Sequence, residues 1–321
     1  MTVNRRKPEA AGIRALFQVQ WDHITSLLDQ RLAHREANKR RATREIEAVE
    51  AVVNGTDGRM RLVSWYKTRL RRAVQELLSY VEGMVARVPE PIPISRERFF
   101  VDPRVSTFFV NRDAIGEVFS RSHELQSFFR NPRFSDVPEV WAILFMNKVE
   151  REVLGLGMHG DVLTRDIRQT SISFTNHRIV QPCASEEAVR SALEQVLFDN
   201  YVQFVNYRLT RLRAGQTTNR ANPSGEQVGN EAIDLKNPAV YLEELSRILE
   251  RPDDLLRLDA GVVRMNRVGI KVEEGSSEVA HDIRLYELGY GERGRQVLTL
   301  VTYPRSQMLS QEDIWRRVGM F

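Results

Sequence analysis

Apolar residues recur at spacings of three and four near the start of the chain, which predicts a helix from Ala11 to Val53. The stretch NGTDG, residues 54–58, breaks this pattern, and a second helix then runs to Val88, where Pro89 stops it. The apolar stripe of the first helix consists of Ile13, Phe17, Trp21, Ile24, Leu28 and Leu32.

The second helix repeats its apolar residues at heptad spacing, interrupted only by Lys67. A short turn between two long helices indicates antiparallel neighbours. We therefore predict a coiled-coil-like helical hairpin over residues 1–90. One heptad position holds Met60, Val74, Val81 and Val88, and the other holds Val63, Leu70, Leu77 and Met84.

Residues 91–214 are predicted to form an α+β core domain. Helix starts are indicated at Asp102, at Asn111, and at Ser135 or Asp136 before Pro138. The helix after Asn111 is predicted to cover residues 112–129, and the last helix runs to Glu150. The apolar run at residues 140–146 is interpreted as the buried face of that helix. Residues 166–182 alternate and turn at 176–177, which predicts a β-hairpin, and a helix from residue 185 to about residue 213 follows.

Residues 215–237 are polar and contain three glycines, which is typical of a flexible linker or loop. A C-terminal α+β unit over residues 238–321 is expected to contain a helix at 238–250, three strands and a short terminal helix. The strands are placed at 261–274, 281–290 and 295–304, with a β-bulge near Asn266.

The predicted fold is therefore α+β: the N-terminal helical hairpin, then a body with two short β-meanders. The segments after Pro138 and after Pro238 share the order helix, strands, helix. A duplicated unit is a hypothesis that this order raises, although the residues of the two segments do not match.

Positive charge is concentrated in the hairpin. Residues 1–90 contain 17 Lys and Arg against 11 Asp and Glu, and the whole chain carries a net charge of +4. Folding the hairpin about Gly55 brings two basic stretches together into what we call the basic band. It comprises Arg35, Lys39, Arg40, Arg41, Arg44, Lys67, Arg69, Arg71 and Arg72.

Three interpretations of the basic band stay open. The charges could keep a long helix pair in solution, or they could bind nucleic acid by neutralising its phosphates. They could also bind an acidic protein or an anionic membrane. Trp65 lies beside the band and could stack on bases.

Gly155, Gly157 and Gly160 have the spacing G-x-G-x-x-G of nucleotide-binding loops. A dinucleotide loop follows a strand and opens a helix, whereas here a predicted helix precedes the glycines and a strand follows them. A kinase-type loop would need a lysine nearby, and the next one is Lys236. We expect a turn between a helix and a strand.

Other candidate chemistry is sparse. The six histidines show no metal-binding spacing, and Cys183 is the single cysteine, so neither structural zinc nor a disulfide is expected. One candidate is a nucleophile–base pair formed by Cys183 and His177. Another is a site for a hard cation around His281, formed by Glu273, Glu274, Glu278 and Asp282. We assign no catalytic, cofactor or metal residue.

Together these patterns favour a cytoplasmic protein, because no signal peptide is evident and the longest apolar run is far too short to cross a membrane. The leading hypothesis is a non-enzymatic adaptor or assembly subunit that uses the hairpin to bind a protein partner or to self-associate. The alternatives are a DNA- or RNA-binding protein that uses the basic band, and an enzyme of unknown reaction.

Overall fold

A computed structural model describes residues 39, 41–159, 162–221, 234–273, 275–276, 278–291, 294–310 and 312–314. Helices pack on both faces of a six-stranded sheet, which confirms the α+β class. The helical hairpin predicted over residues 1–90 begins outside the described residues. In the described part, no helix is both long enough and apolar enough to cross a bilayer.

Two helices open the described chain: α1 covers residues 41–55 and α2 covers Tyr66–Arg87. A 3-10 turn at Gly58–Leu62 separates them, and the Asp57 side chain caps this turn by accepting a hydrogen bond from the Arg59 amide. The heptad positions of α2 are buried as the sequence predicts. They include Leu70, Val74, Leu77, Val81 and Met84.

Four short helices follow a two-residue strand, β1 at Ile92–Pro93. Asp102 caps one helix through the Arg104 amide, and Asn111 caps another through the amides of residues 113 and 114, as predicted. The long helix expected after Asn111 is wrong, because Ser122 has an extended backbone and its hydroxyl caps a new helix. The four are α3 (Arg98–Val101), α4 (Pro103–Phe108), α5 (Arg112–Arg121) and α6 (His123–Arg130).

The next two elements are long antiparallel strands, β2 (Glu139–His159) and β3 (Val162–Cys183). The helix predicted up to Glu150 is therefore wrong, and so is the β-hairpin predicted within residues 166–182. Residues 140–146 are continuously apolar because helices cover both faces of the sheet there. A strand buried on both faces loses the alternating pattern that distinguishes it from a helix.

Three residues of β3 have a left-handed backbone: Asp166 at φ 62°, Asn176 at φ 53° and Gln181 at φ 53°. Each lies where the register between β2 and β3 shifts by one residue, so each marks a β-bulge. The Asn176–His177 pair, which resembles a turn in the sequence, is one of these bulges.

After β3, the described residues include two longer helices and three strands. Helix α7 begins after Ser185, whose hydroxyl accepts a hydrogen bond from the Ala188 amide, and it passes the predicted end at Arg213 to reach Ala221. Helix α7 therefore overlaps residues 215–221 of the predicted linker, and residues 222–233 lie outside the described residues. The elements are α7 (Glu186–Ala221), α8 (Pro238–Leu249), β4 (Arg257–Met265), β5 (His281–Gly289) and β6 (Arg295–Pro304).

A tight turn follows β4. The Asn266 side chain accepts hydrogen bonds from the amides of Val268 and Ile270, and Gly269 has a φ of 82°. The alternation of apolar residues changes phase after Met265 because the chain turns there. The β-bulge predicted near Asn266 is therefore wrong.

All six strands belong to one sheet, in the order β3-β2-β6-β5-β4, with β1 parallel to β6. Because β2 pairs with β6, strands from residues 91–214 and from residues 238–321 lie side by side. Two separate β-meanders are therefore wrong, and the shared element order behind the duplication hypothesis is not found. The domain boundaries themselves stay a prediction.

The sheet curls so strongly that the turn after β4 reaches β3. The Ile172 amide donates to the Gly269 carbonyl at 2.7 Å, and the Lys271 amide donates to the Thr170 carbonyl at 2.8 Å. The sheet thereby separates two cores. Helices α4, α5 and α6 fill one core, where Phe119 stacks on Tyr303 of β6, and α1, α2, α7 and α8 fill the other.

Candidate functional site

The basic band is the candidate site, and its described members lie on α1 and α2, except for Lys39, which precedes α1. Arg35 and Arg40 lie outside the described residues. Lys39 is exposed. The remaining members are Arg41, Arg44, Lys67, Arg69, Arg71 and Arg72.

Carboxylates of α1 form ion pairs with several cations of the basic band. Arg71 Nη2 lies 3.3 Å from Glu45 Oε2, and the Glu45 side chain is only 8% exposed. Arg41 approaches the same carboxylate at 3.9 Å. This nearly buried glutamate therefore offsets charge from both α1 and α2.

Glu50 is the second carboxylate of this kind. It accepts hydrogen bonds from Arg61 Nη2 at 2.8 Å and from the Tyr66 hydroxyl at 2.7 Å, and Lys67 Nζ lies 3.2 Å away. Hydrogen bonds from Arg61, Tyr66 and Lys67 lower the pKa of Glu50 to about 2. Glu50 therefore stays ionised down to acidic pH and joins the end of α1 to the start of α2.

Arg44 connects three helices. Its Nη1 lies 2.9 Å from Glu82 of α2, and its Nη2 lies 2.6 Å from Glu194 of α7. Both nitrogens that end the guanidinium are thus occupied by carboxylates from other helices. We infer that Arg44 fixes the position of α1 relative to α2 and α7.

The other side of α2 is paired in the same way. Arg69 lies 2.9 Å from Glu243 and 3.4 Å from Glu250, both from the α8 region. Arg72 lies 3.0 Å from Glu76 one helical turn later. Each of the six described arginines and lysines on α1 and α2 named above therefore has a carboxylate within 4 Å. The band offers much less unpaired charge than its sequence indicates.

An open cleft of about 340 Å³ lies between α1 and α2, beside Arg44. Its lining carries both signs of charge, because Glu45 and Glu82 alternate with Arg41 and Arg44. Such a mixed surface does not select a polyanion. The lining also includes Gln75, Leu78 and Ser79.

The glycine motif does not form a phosphate loop. Gly155 and Gly157 lie inside β2, where they pair with Ile167 and Thr164 of β3, and Gly160 lies outside the described residues. The expected helix before the glycines is wrong, because β2 precedes them without interruption. A bulge in β3 separates the pairs that the two glycines make.

Cys183 and His177 each have a separate partner. The Cys183 thiol hydrogen bonds to the Gln181 carbonyl at 3.3 Å, and burial raises the pKa of that thiol. His177 Nε2 lies 2.7 Å from the Phe108 carbonyl, and its ring stacks on Phe109. The pKa of His177 is lowered because burial, which lowers it, outweighs the hydrogen bond with the Phe108 carbonyl, which raises it. These contacts serve the core.

One of the carboxylates near His281 already has a partner within the chain. Glu278 accepts a hydrogen bond from the Asn266 side chain at 2.6 Å, and Glu274 lies outside the described residues. Among the residues that the structure describes, no three His, Cys, Asp or Glu side chains are grouped so that they could hold a metal ion.

Two contacts beside the band were missed from the sequence. Asp57 accepts hydrogen bonds from both Arg59 and Arg213, so it ties the turn before α2 to α7. The Arg59 guanidinium is the main cause of the strongly lowered pKa of Asp57. Only the short Asp57–Arg59 spacing is visible in the sequence, because Arg213 approaches through the tertiary fold.

Comparison with known proteins gives no match: no protein-family model, curated protein or solved structure is significantly similar to this chain.

Proposed function

We propose that the chain is a non-enzymatic assembly subunit that associates through the N-terminal part of its first predicted helix. This part packs against a helix of another protein chain, and the partner tested first is a second copy. The observation that supports this proposal is the register between α1 and α2. That register can be read from the ion pairs and hydrogen bonds described above.

Contacts between the two helices run in opposite directions along the chain. Glu50 meets Tyr66 near the turn, Glu45 meets Arg71 further along, and Arg44 meets Glu82 beyond that. If the first helix continues as its sequence predicts, the last turn of α2, which ends at Arg87, would lie level with a position between about residue 30 and residue 40.

The apolar stripe predicted for the first helix lies mainly before that position. Ile13, Phe17, Trp21, Ile24 and Leu28 would extend past the end of α2 if the helix continues as its sequence predicts. An amphipathic helix needs an apolar surface against which to bury such a stripe. A helix of another chain is the partner that we propose.

The buried heptad residues of α2 already pack inside this chain. They belong to one core with α1, α7 and α8, and Tyr80 donates a hydrogen bond to the Leu256 carbonyl at 2.7 Å. We therefore assign the assembly contact to the apolar stripe predicted before α1, and the heptad residues of α2 take no part in it.

The experiment is light scattering on the full chain during size exclusion. A complex larger than the 37.1 kDa monomer is expected, and Phe17→Ser combined with Trp21→Ser should reduce its mass. Leu62→Ser is the matched control, because Leu62 is 79% exposed and lies in the turn between α1 and α2. A monomer at every concentration, with no chain cross-linked to residues 13–32, would refute the proposal.

The nucleic-acid alternative is tested with the same protein. Labelled DNA and RNA are titrated at low salt, against Arg41→Glu combined with Arg71→Glu and Arg72→Glu. We expect weak binding by the unmodified protein, since carboxylates already pair these cations. Tight binding that the charge reversal abolishes would favour a nucleic-acid arm over the assembly proposal.

A further inference from the structure

The outer halves of β2 and β3 form a two-stranded ribbon beyond the rest of the sheet. β2 makes its last pair with β6 at Met146, and β3 makes its last contact with the turn after β4 at Thr170. Pairing between β2 and β3 nevertheless continues to His159 and Val162. We call residues 152–159 and 162–169 the ribbon, which is about 25 Å long.

The ribbon has little to stabilise it within one chain. Arg151, Glu152 and Leu154 are exposed on β2, and Asp166 and Arg168 are exposed on β3, so each face of the ribbon is at least partly exposed near its base. Leu154 is 68% exposed. Two strands alone are marginally stable in water, so an additional strand would stabilise the ribbon considerably.

The two edges of the ribbon differ. The outer edge of β3 carries the bulge at Asp166, which interrupts regular pairing and protects an edge against further strands. β2 keeps regular pairing with β3 from Asn147 to Gly155, and its opposite edge has no β6 partner beyond Met146. The ribbon's regular edge, which has no neighbouring strand among those that the structure describes, is therefore that of β2 beyond Met146.

We propose that this free edge of β2 pairs, antiparallel, with the same edge of a second copy of the chain. The charge pattern supports a second copy in one register. A two-fold axis at Arg151 or at Glu152 would place like charges opposite each other, which is unfavourable. An axis at Val153 avoids like charges but places the exposed Leu154 opposite Glu152. An axis at Leu154 also avoids like charges, because residues 150–152 then lie opposite residues 156–158, which are uncharged in the sequence, and it pairs Leu154 with its own copy.

In this register Leu154 faces its own copy across the two-fold axis. The contact uses the same edge on both copies, so it closes as a dimer and leaves no further β2 edge to pair. The bulged edges of β3 end the combined sheet on both sides. This contact is separate from the helical contact that we propose for the N-terminal stripe.

A cross-link tests the register directly. Leu154→Cys is introduced into the full chain together with Cys183→Ser, so that the new cysteine is the single one. Mild oxidation with copper phenanthroline should give a disulfide-linked dimer. Leu62→Cys in the same background is the control, because Leu62 is 79% exposed, against 68% for Leu154, and lies far along the chain from the ribbon.

A second measurement keeps the two assembly contacts apart. Leu154→Asp should lower the dimer mass in light scattering, whereas Leu62→Asp should not. The cross-link at residue 154 should persist when Phe17 and Trp21 are both changed to Ser, whatever happens to the helical contact. No cross-linking above the control, together with an unchanged mass for Leu154→Asp, would overturn the ribbon contact and leave the helical proposal standing.

Discussion

The Ile172 amide lies 2.7 Å from the Gly269 carbonyl, and this hydrogen bond joins β3 to the turn after β4. A side chain at residue 269 would place its Cβ atom 2.7 Å from the Ile172 carbonyl oxygen. Gly269 also has a φ of 82°, which favours glycine. Two independent requirements for glycine therefore meet where the curled sheet closes.

Changing Gly269 to Ala should lower the free energy of unfolding by about 2 kcal/mol or more, because left-handed strain and a backbone clash add together. Urea unfolding followed by circular dichroism measures the change. Gly275→Ala is the matched control: φ is 88° there and nothing lies within 4 Å of the added Cβ atom. It should cost only the left-handed term, about 1 kcal/mol. Equal losses for the two variants would contradict a clash at Ile172.

His177 should make stability depend on pH below neutrality. Burial lowers its pKa in the folded chain, so the unfolded chain takes up a proton first as the pH falls below about 6.5. The free energy of unfolding should be highest above that pH and should decrease on acidification. His177→Gln should remove this part of the dependence, and His123→Gln, at an exposed histidine of α6, should leave it. The same slope in both variants would refute the assignment.

Glu50 should act in a lower pH range. Its folded pKa of about 2 lies below the ordinary value near 4.5, so its contribution is complete above pH 4.5. This contribution is lost as the pH falls from about 4.5 towards 2. We expect Glu50→Gln to flatten the acid limb of a stability profile in this range. Glu76→Gln, which removes the partner of Arg72, is the control and should change the profile less.

The buried hydroxyl of Tyr201 should contribute more to stability than the exposed Arg72–Glu76 ion pair of the band. This hydroxyl donates to the Ile248 carbonyl at 2.9 Å and joins α7 to α8. Tyr201→Phe leaves that carbonyl without this partner and should cost about 1–2 kcal/mol. Arg72→Gln breaks an exposed pair and should cost under about 0.5 kcal/mol. Thermal unfolding of both variants gives the comparison, and a larger loss for Arg72→Gln would contradict this order.

Local signals in the sequence were sufficient where the structure depends on neighbouring residues. Asp102 and Asn111 cap helices, as their side chains and the residues after them predict. Pro238 begins α8 with Asn237 as its cap. β5 and β6 also lie where alternating and β-branched residues indicate strands.

Tertiary burial explains the largest failure. Residues 140–146 are apolar at every position, so their pattern fits a buried helix as well as a strand between two layers. The covering helices are α4 to α6 on one face and α2 with α7 on the other, and no residue within the run reveals them. Because the run is interpreted as a helix, Gly155 and Gly157, which lie inside the same strand, are predicted to follow a helix.

The basic band shows the same limit for charge. Arg72 and Glu76 are one turn apart, so their pairing is readable in the sequence. Arg44 with Glu194, and Arg69 with Glu243, join residues far apart in the chain. Counting charges along the hairpin therefore overestimated the unpaired positive charge that a partner would meet.

The position of β6 constrains how the protein is made. β6 pairs with β1, β2 and β5, yet it is the last of the six strands to leave the ribosome. Until residues 295–304 emerge, β2 lacks β6 as a neighbouring strand, and both cores lack the residues that β6 contributes to them. A chain stalled or cut before β6 would expose the apolar faces of β2 to other nascent chains, so we expect chaperone dependence to concentrate late in synthesis.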